Sequence, residues 1–380
     1  MKWEKVKLGN VTDSCLGKML DQNKNKGDYQ PYLANVNVRW GEFDLEDLPL
    51  MKFEESEQER YELKYGDLVI CEGGEPGRCA IWKEQIPNMK IQKALHRVRV
   101  HDCLDYRYLF YWFLLAGKTG ELDQYFTGAT IKHMPGQKLK EVVIDKPPLE
   151  IQHRIADILS AYDDLIENNQ KQIKLLEEAA QRLYKEWFVD LRFPGHENTK
   201  IVDGVPEGWI KEEIGKIIKK VHRTKQIVAS EYKDEGSIPI VDQSRAFVAG
   251  YTNDLEARVD FGIPIIVFGD HTRIVKLIQF PFAKGADGTQ LIISGCLEMP
   301  QRLLYCSIMN VDLSNYHYAR HFKYLKEEKI MIPTVKVANE FENNVTGIFS
   351  KIQNCRDEII RCQKTRDLLL PKLMSGKVEV

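Results

Sequence analysis

One short stretch concentrates reactive side chains. Phe268-Gly-Asp270-His271-Thr272-Arg273 sets a carboxylate, an imidazole, a hydroxyl and a guanidinium on one turn after an apolar strand. Those types can supply a general base and a nucleophile. They also suit a loop tip that touches a ligand, which is the preferred reading. Cys71-Glu-Gly-Gly-Glu-Pro-Gly-Arg78 is glycine-rich but lacks the lysine and hydroxyl of a phosphate-binding loop, and it predicts a hairpin turn. Ser375-Gly-Lys377-Val378 fails the same test, with Val where Ser or Thr belongs. No GxSxG elbow or HExxH occurs, and the 9 histidines are dispersed without metal-ligand spacing.

Asp145-Lys-Pro-Pro-Leu149 is a near miss for the Asp/Asn-Pro-Pro-aromatic loop of amino-methyltransferases. Lys replaces the first Pro, and Leu stands where the base-stacking aromatic belongs. A strand running out into a helix N-terminus accounts for it better. These residues argue against self-contained catalysis and against a metal or cofactor in this chain. The 8 cysteines form no CxxC pair and several fall on apolar-periodic positions, which predicts reduced, packed thiols of a cytoplasmic protein.

A length of 380 residues predicts two or three domains, and 43% hydrophobic with 29% charged residues predicts real cores. The longest apolar run, 108–117, is too short to cross a bilayer, and the N-terminus shows no signal-peptide pattern. Net charge is −2, so nucleic-acid binding requires local basic surfaces. Candidates are 211–225, with six Lys/Arg against two Glu, and 351–377, with seven against three acids. A solvated face explains each of them equally well.

The elements that must position any such site occur twice. Counting 3,4,3,4 from Ile155 gives Ile155, Ile158, Tyr162, Leu165, Asn169, Gln172, Leu176, Ala179 and Leu183, a coiled-coil seam with two polar interruptions. Adding 190 gives Val345, Ile348, Ile352, Cys355, Ile359, Cys362, Arg366, Leu369 and Leu373, the same seam with one polar break. The segments before each helix also correspond. Trp3 to Gly9 is echoed by Trp209 to Gly215, Gly66 to Ile70 by Gly262 to Ile266, and Leu139-Lys-Glu by Leu325-Lys-Glu. The chain is therefore read as an internal duplication of a domain plus a long helix.

Runs rich in β-branched and aromatic residues predict strands at 36–40, 67–72, 79–83 and 94–100, and at 238–241, 263–269, 273–278 and 290–294. Helical stretches follow near 106–126 and 299–312. The expected fold is α+β, with mostly-β domains at 1–149 and 209–335, long helices at 150–189 and 336–380, and a linker at 190–208. If the seams pair within the chain, the helices run antiparallel and the domains are related by a pseudo-twofold.

Thr127-Gly-Ala-Thr-Ile-Lys-His-Met134, Leu139-Lys-Glu-Val-Val-Ile144, Pro147-Pro-Leu-Glu-Ile-Gln152 and the helix to Trp187-Phe188 resemble the specificity subunit of type I restriction-modification systems. Gly269-Asp-His-Thr272, Tyr318-Ala-Arg320-His321-Phe322 and Leu369 to Lys377 extend the likeness. It covers the whole chain in architecture, and 127–195 and 318–380 in motif detail. The resemblance implies two target-recognition domains, each reading half of a bipartite, asymmetric site in double-stranded DNA. It implies that the helices measure the spacer and dock modification subunits, two in number. Those partners would carry S-adenosylmethionine and methylate adenine, while separate restriction subunits would carry ATP and Mg. The 29 residues from Ile155 to Leu183 make a rod of roughly 43 Å, a little over one ~34–36 Å turn of B-DNA.

Base contacts do not carry over from the family, so chemistry alone nominates residues. Arg and Lys can bond guanine edges or phosphates. Lys132 and His133 in the first half, and Arg320, His321 and Lys323 in the second, follow the corresponding motifs. Arg78, Arg223, Lys225, His271 and Arg273 fall on predicted loops or turns. A different class of function, a non-enzymatic scaffold whose two domains bind proteins, uses the same architecture without DNA.

Overall fold

The computed structural model describes residues 3–21, 25–222, 224–285, 288–316 and 320–380. The chain is α+β and divides into two compact units, residues 1–167 with 359–380 and residues 168–358. Each unit combines a β domain with a part of both long helices.

In the first unit an antiparallel sheet has the order Thr12–Leu16, Leu95–Val100, Leu68–Cys71, Cys79–Ile81. Leu68-Val-Ile-Cys71 is apolar at every position because both of its faces are covered. Leu68 and Ile70 join the core formed with the helix Tyr106–Thr119, while Val69 and Cys71 join a second core around Trp82. A further sheet places Asp28–Leu33 between Leu50–Phe53, antiparallel, and Lys90–Ile91, parallel. Glu4–Lys7 pairs with Val143–Lys146, the strand that leads into the first long helix. Asp105 caps Tyr106–Thr119, accepting from the Arg107 and Tyr108 amides, and Gly120 closes it at φ 74°.

The second unit repeats this plan, with one added strand, Arg258–Val259, at the edge of its smaller sheet. Its antiparallel sheet runs Ile218–Lys219, Thr289–Ser294, Ile265–Gly269, Val275–Ile278. Ile238–Val241 lies between Gly250–Thr252, antiparallel, and Phe282–Lys284, parallel. Ile210–Glu213 pairs with Lys329–Ile332 before the second long helix. Alternate residues of Ile265–Gly269 again feed two cores, Ile266 and Phe268 one, Ile265 and Val267 the other. The echoed Gly9 and Gly215 share one cause: a Cβ would come within 2.9 Å of Lys140 Cβ at the first, and 3.0 Å of the Lys326 carbonyl at the second.

Residues 36–40, expected as a strand, are a 3-10 turn over Asn35–Asn37 followed by a single bridge from Val38 to Phe43. The asparagines decide this. Asn37 Oδ1 accepts the Ala34 N–H at 2.9 Å and Asn37 Nδ2 donates to Asp44 O, so side chains take the bonds that a strand would need.

The first long helix spans Leu149–Tyr184 and the second Val335–Met374. Within the first unit Arg366 pairs with Asp163 at 2.5 Å, and Ile155 shares a core with Leu370 and Leu373. Within the second unit Arg356 pairs with Glu177 at 2.8 Å, and Cys355 Sγ lies 3.9 Å from Gln172 Oε1. The first helix ascends as the second descends, so the pair is antiparallel. Arg366, the polar break of the second seam, is thus neutralised at its place. The linker is anchored too, with Phe193 buried 4.5 Å from Trp209.

On the second helix Val345, Ile352, Cys355, Cys362 and Leu373 are buried and Ile348, Ile359, Arg366 and Leu369 half-buried, with Phe349 and Leu370 buried beside them. The first seam is shifted at alternate positions. Ile155, Tyr162, Asn169, Leu176 and Leu183 lie on the packed side, but Ile158 and Leu165 are 37% and 43% exposed. Leu159, Ile166 and Ala180 are buried instead. Ile158-Leu159, Leu165-Ile166 and Ala179-Ala180 are adjacent apolar pairs, so a 3,4 count and a 4,3 count fit the sequence alike.

All 8 cysteines are free thiols. No helix among the described residues is long and apolar enough to cross a membrane.

Candidate nucleic-acid interface

In the first unit two loops meet beside the antiparallel sheet. Thr127 and His133 exchange both backbone hydrogen bonds at 2.8 Å, closing the loop between them. Gly73 bridges His133, and a Cβ there would sit 2.8 Å from His133 Nδ1, so only glycine allows the loops to approach. Met134 N–H donates to Glu72 O at 2.7 Å, and His96 Nε2 donates to Met134 O at 2.9 Å. Burial holds the His96 ring below the usual histidine range, which keeps it neutral for that role. The closed loop presents exposed Ile131, Lys132 and His133 on this fixed base. Lys132 lies 3.4 Å from Asp123 and over the Phe126 ring. Arg78 is different. Its guanidinium pairs with Glu75 and donates to Asn35 O and Oδ1, so it ties its own loop to the Asn35–Asn37 turn.

In the second unit the turn after Ile265–Gly269 is tied from several sides. Thr272 Oγ1 donates to Gln243 O at 2.7 Å, and the His271 amide donates to Gln243 Oε1. Arg273 takes φ 61° and donates to Leu313 O. Asp270 is buried, and its carboxylate accepts the Phe322 N–H at 2.8 Å, fastening the turn to the helix His321–Glu327. Among the described residues no hydrogen bond joins this carboxylate to the His271 ring, so the turn lacks an acid–histidine pair. His271 and Arg273 remain exposed.

His321, nominated for DNA contact, is 5% exposed, with Nδ1 on Asp270 O and Nε2 on Tyr316 O. Both ring nitrogens are occupied, so its role is to hold the turn. Arg320 and Lys323 flank it and are exposed. Lys225 sits between Asp254 and Glu256, which push its pKa up to about 12 and neutralise it locally. Arg223 lies outside the described residues, as do Tyr318 and Ala319 of the motif.

Sequence reasoning did not single out what the basic stretch 211–225 builds. Lys219, Lys220 and His222 line a groove of about 740 Å³ together with Lys284, Phe322 and Lys326, and no Asp or Glu lines it among the described residues. Lys216 pairs with Glu212, so of that stretch it is Lys219 and Lys220 that face the groove. The helix His321–Glu327 connects the two features, since Asp270 holds its start and its Lys326 lines the groove. The run of lysines in sequence was the available signal, but Lys284 and Lys326 join it only through folding.

Known proteins share this arrangement. The family model described as Type I restriction modification DNA specificity domain matches residues 1–178. The type I restriction enzyme MjaIX specificity subunit of Methanocaldococcus jannaschii is 31% identical over 343 residues, 83% of this chain and 78% of that protein. The MjaVIII specificity subunit of the same organism is 28% identical over 240 residues, 62% of this chain and 53% of that protein. The crystal structure of the type I restriction-modification S subunit from M. genitalium superimposes with a TM-score of 0.56 at 16% identity, covering 98% of this chain and 96% of that one, which supports the same fold. With its duplicated α+β plan, its antiparallel helix pair and a relative matched over most of its length, this chain belongs to the specificity subunits of type I restriction-modification systems, their non-catalytic component.

Proposed function

We propose that the chain recognises a bipartite, asymmetric site in double-stranded DNA, each unit reading one half-site. The observation that carries this is a shared scaffold with unlike loops. Both units share one order in the main antiparallel sheet, yet after its central strand the first ties Arg78 to Glu75 and Asn35 where the second exposes His271 and Arg273. Leading into the following helix, the first exposes Lys132 and His133 where the second exposes Arg320 and buries His321. A common frame with different reading surfaces suits two different half-sites. Lys132, His133, His271, Arg273, Arg320 and Lys323 are the proposed contacts, with Arg78 and His321 as supports.

The helix pair then sets the spacer and docks two modification subunits, beside which restriction subunits assemble. In this scheme S-adenosylmethionine and ATP with Mg belong to those partners, and this chain contributes recognition alone. Methylation-sensitive sequencing of the host genome, with and without the gene, tests the proposal. A split adenine motif that loses methylation on deletion is expected. An unchanged methylome would remove the proposal.

A further inference from the structure

From a comparison of the two units with each other, we infer that the lysine groove of the second unit seats the phosphate backbone of duplex DNA. This rests on the DNA-reading role proposed above. The repeated glycines fix the alignment: Gly9 corresponds to Gly215, so Asp13 and Ser14 correspond to Lys219 and Lys220. The corresponding edge strand of the first unit thus carries an acid, paired with His101 at 3.4 Å, where the second carries consecutive lysines.

The surface beyond that edge differs as well. In the first unit Cys15 faces Arg97 across the sheet, and the segment Glu55–Glu57 with Gln58–Tyr61 lies over both. Cys15 Sγ donates to Arg60 O at 3.1 Å, Arg97 donates to Glu59 O at 3.1 Å, and buried Lys18 pairs with Glu57. Residues 54–62 contain five glutamates, so the first unit covers a basic floor with its own acidic segment. In the second unit the counterparts are Val221 and Leu291, and both line the open groove. Neither Lys219 nor Lys220 has a carboxylate partner among the described residues. An open channel with lysines on both walls matches a chain of phosphates, whose charges recur along the strand.

Two electrostatically unlike readers follow. The second unit supplies salt-dependent grip on any duplex, and the first, with Arg78 and Lys132 beside carboxylates, adds sequence discrimination with little of that grip. The test is fluorescence anisotropy of the full chain on its target duplex and on a scrambled duplex, from 50 to 300 mM salt. K219Q/K220Q should reduce the magnitude of the log K against log salt slope by about 1.8, at about 0.9 per phosphate contact, on both duplexes alike. K219R/K220R should restore it. Lys326→Gln alone should lower it by about 0.9. A slope untouched by these substitutions overturns the groove assignment, as does a loss confined to the target duplex, which would make the lysines base readers. A wild-type chain without salt-dependent duplex binding would instead overturn the DNA-reading role itself.

Discussion

At Asp270 the carboxylate accepts the Phe322 amide, and at the next residue the imidazole is exposed. Removing the first leaves a buried donor and an uncapped helix start, whereas removing the second leaves the frame intact. Asp270→Ala should therefore cost about 1–2 kcal/mol in urea unfolding. His271→Ala should stay within about 0.5 kcal/mol while weakening preference for one half-site. Equal destabilisation by both would refute this division. His96 gives a pH signature. Its folded pKa lies below the ordinary value, so near and below pH ~6.5 the unfolded chain binds more protons than the native one. The stability it contributes is present above that range and is lost as pH falls. The melting temperature should drop between pH 7.5 and 5.5, and His96→Gln should flatten part of the drop. Identical pH profiles would show that burial does not suppress protonation of the ring.

Among the elements, the two long helices turn the difference between neighbouring apolar residues into a difference in packing. Leu159 is fully buried while Leu165 is 43% exposed, although both sit in the apolar pattern. Leu159→Ala should cost about 2–5 kcal/mol, in the range of buried leucine truncations. Leu165→Ala should cost under about 1 kcal/mol. Thermal or chemical melts of the two variants decide between the phases, and a reversed order would restore the 3,4 count from Ile155. Polar seam positions follow the same logic. Arg366 meets Asp163, and Arg356 meets Glu177 while lying 3.7 Å from the Phe247 ring. Each cation has a specific carboxylate, which favours one register of the pair over its neighbours.

For the molecule as a whole, the repeat predicts modular behaviour. Exchanging residues 1–145 for the equivalent domain of another specificity subunit should change one half-site and leave the other, read out by sequencing methylated sites. Adding one helical turn to both long helices together should lengthen the tolerated spacer without altering either half-site. A new half-site with the old spacer would separate the helices from any measuring role.

Periodicity and repetition alone determined the duplication and the two long helices, because apolar spacing and chain order are properties of the linear chain. The contacts of Asp163 with Arg366 and Glu177 with Arg356 supplied the pairing that makes the helices antiparallel. The runs at 67–72, 79–83 and 263–269 likewise announced the strands Leu68–Cys71, Cys79–Ile81 and Ile265–Gly269, and the catalytic motifs were visibly incomplete. Folding alone decided which of two adjacent apolar residues points inward, since Ile158 and Leu159 are interchangeable to a pattern but not to a neighbour. It also decided that Asn35 and Asn37 break a β-like run, that His321 is internal while His271 is not, and that Lys284 and Lys326 join Lys219 and Lys220 around one groove. Burial, hydrogen-bond partners and charge clustering are relations between residues far apart in sequence, and the chain expresses them only once it is packed.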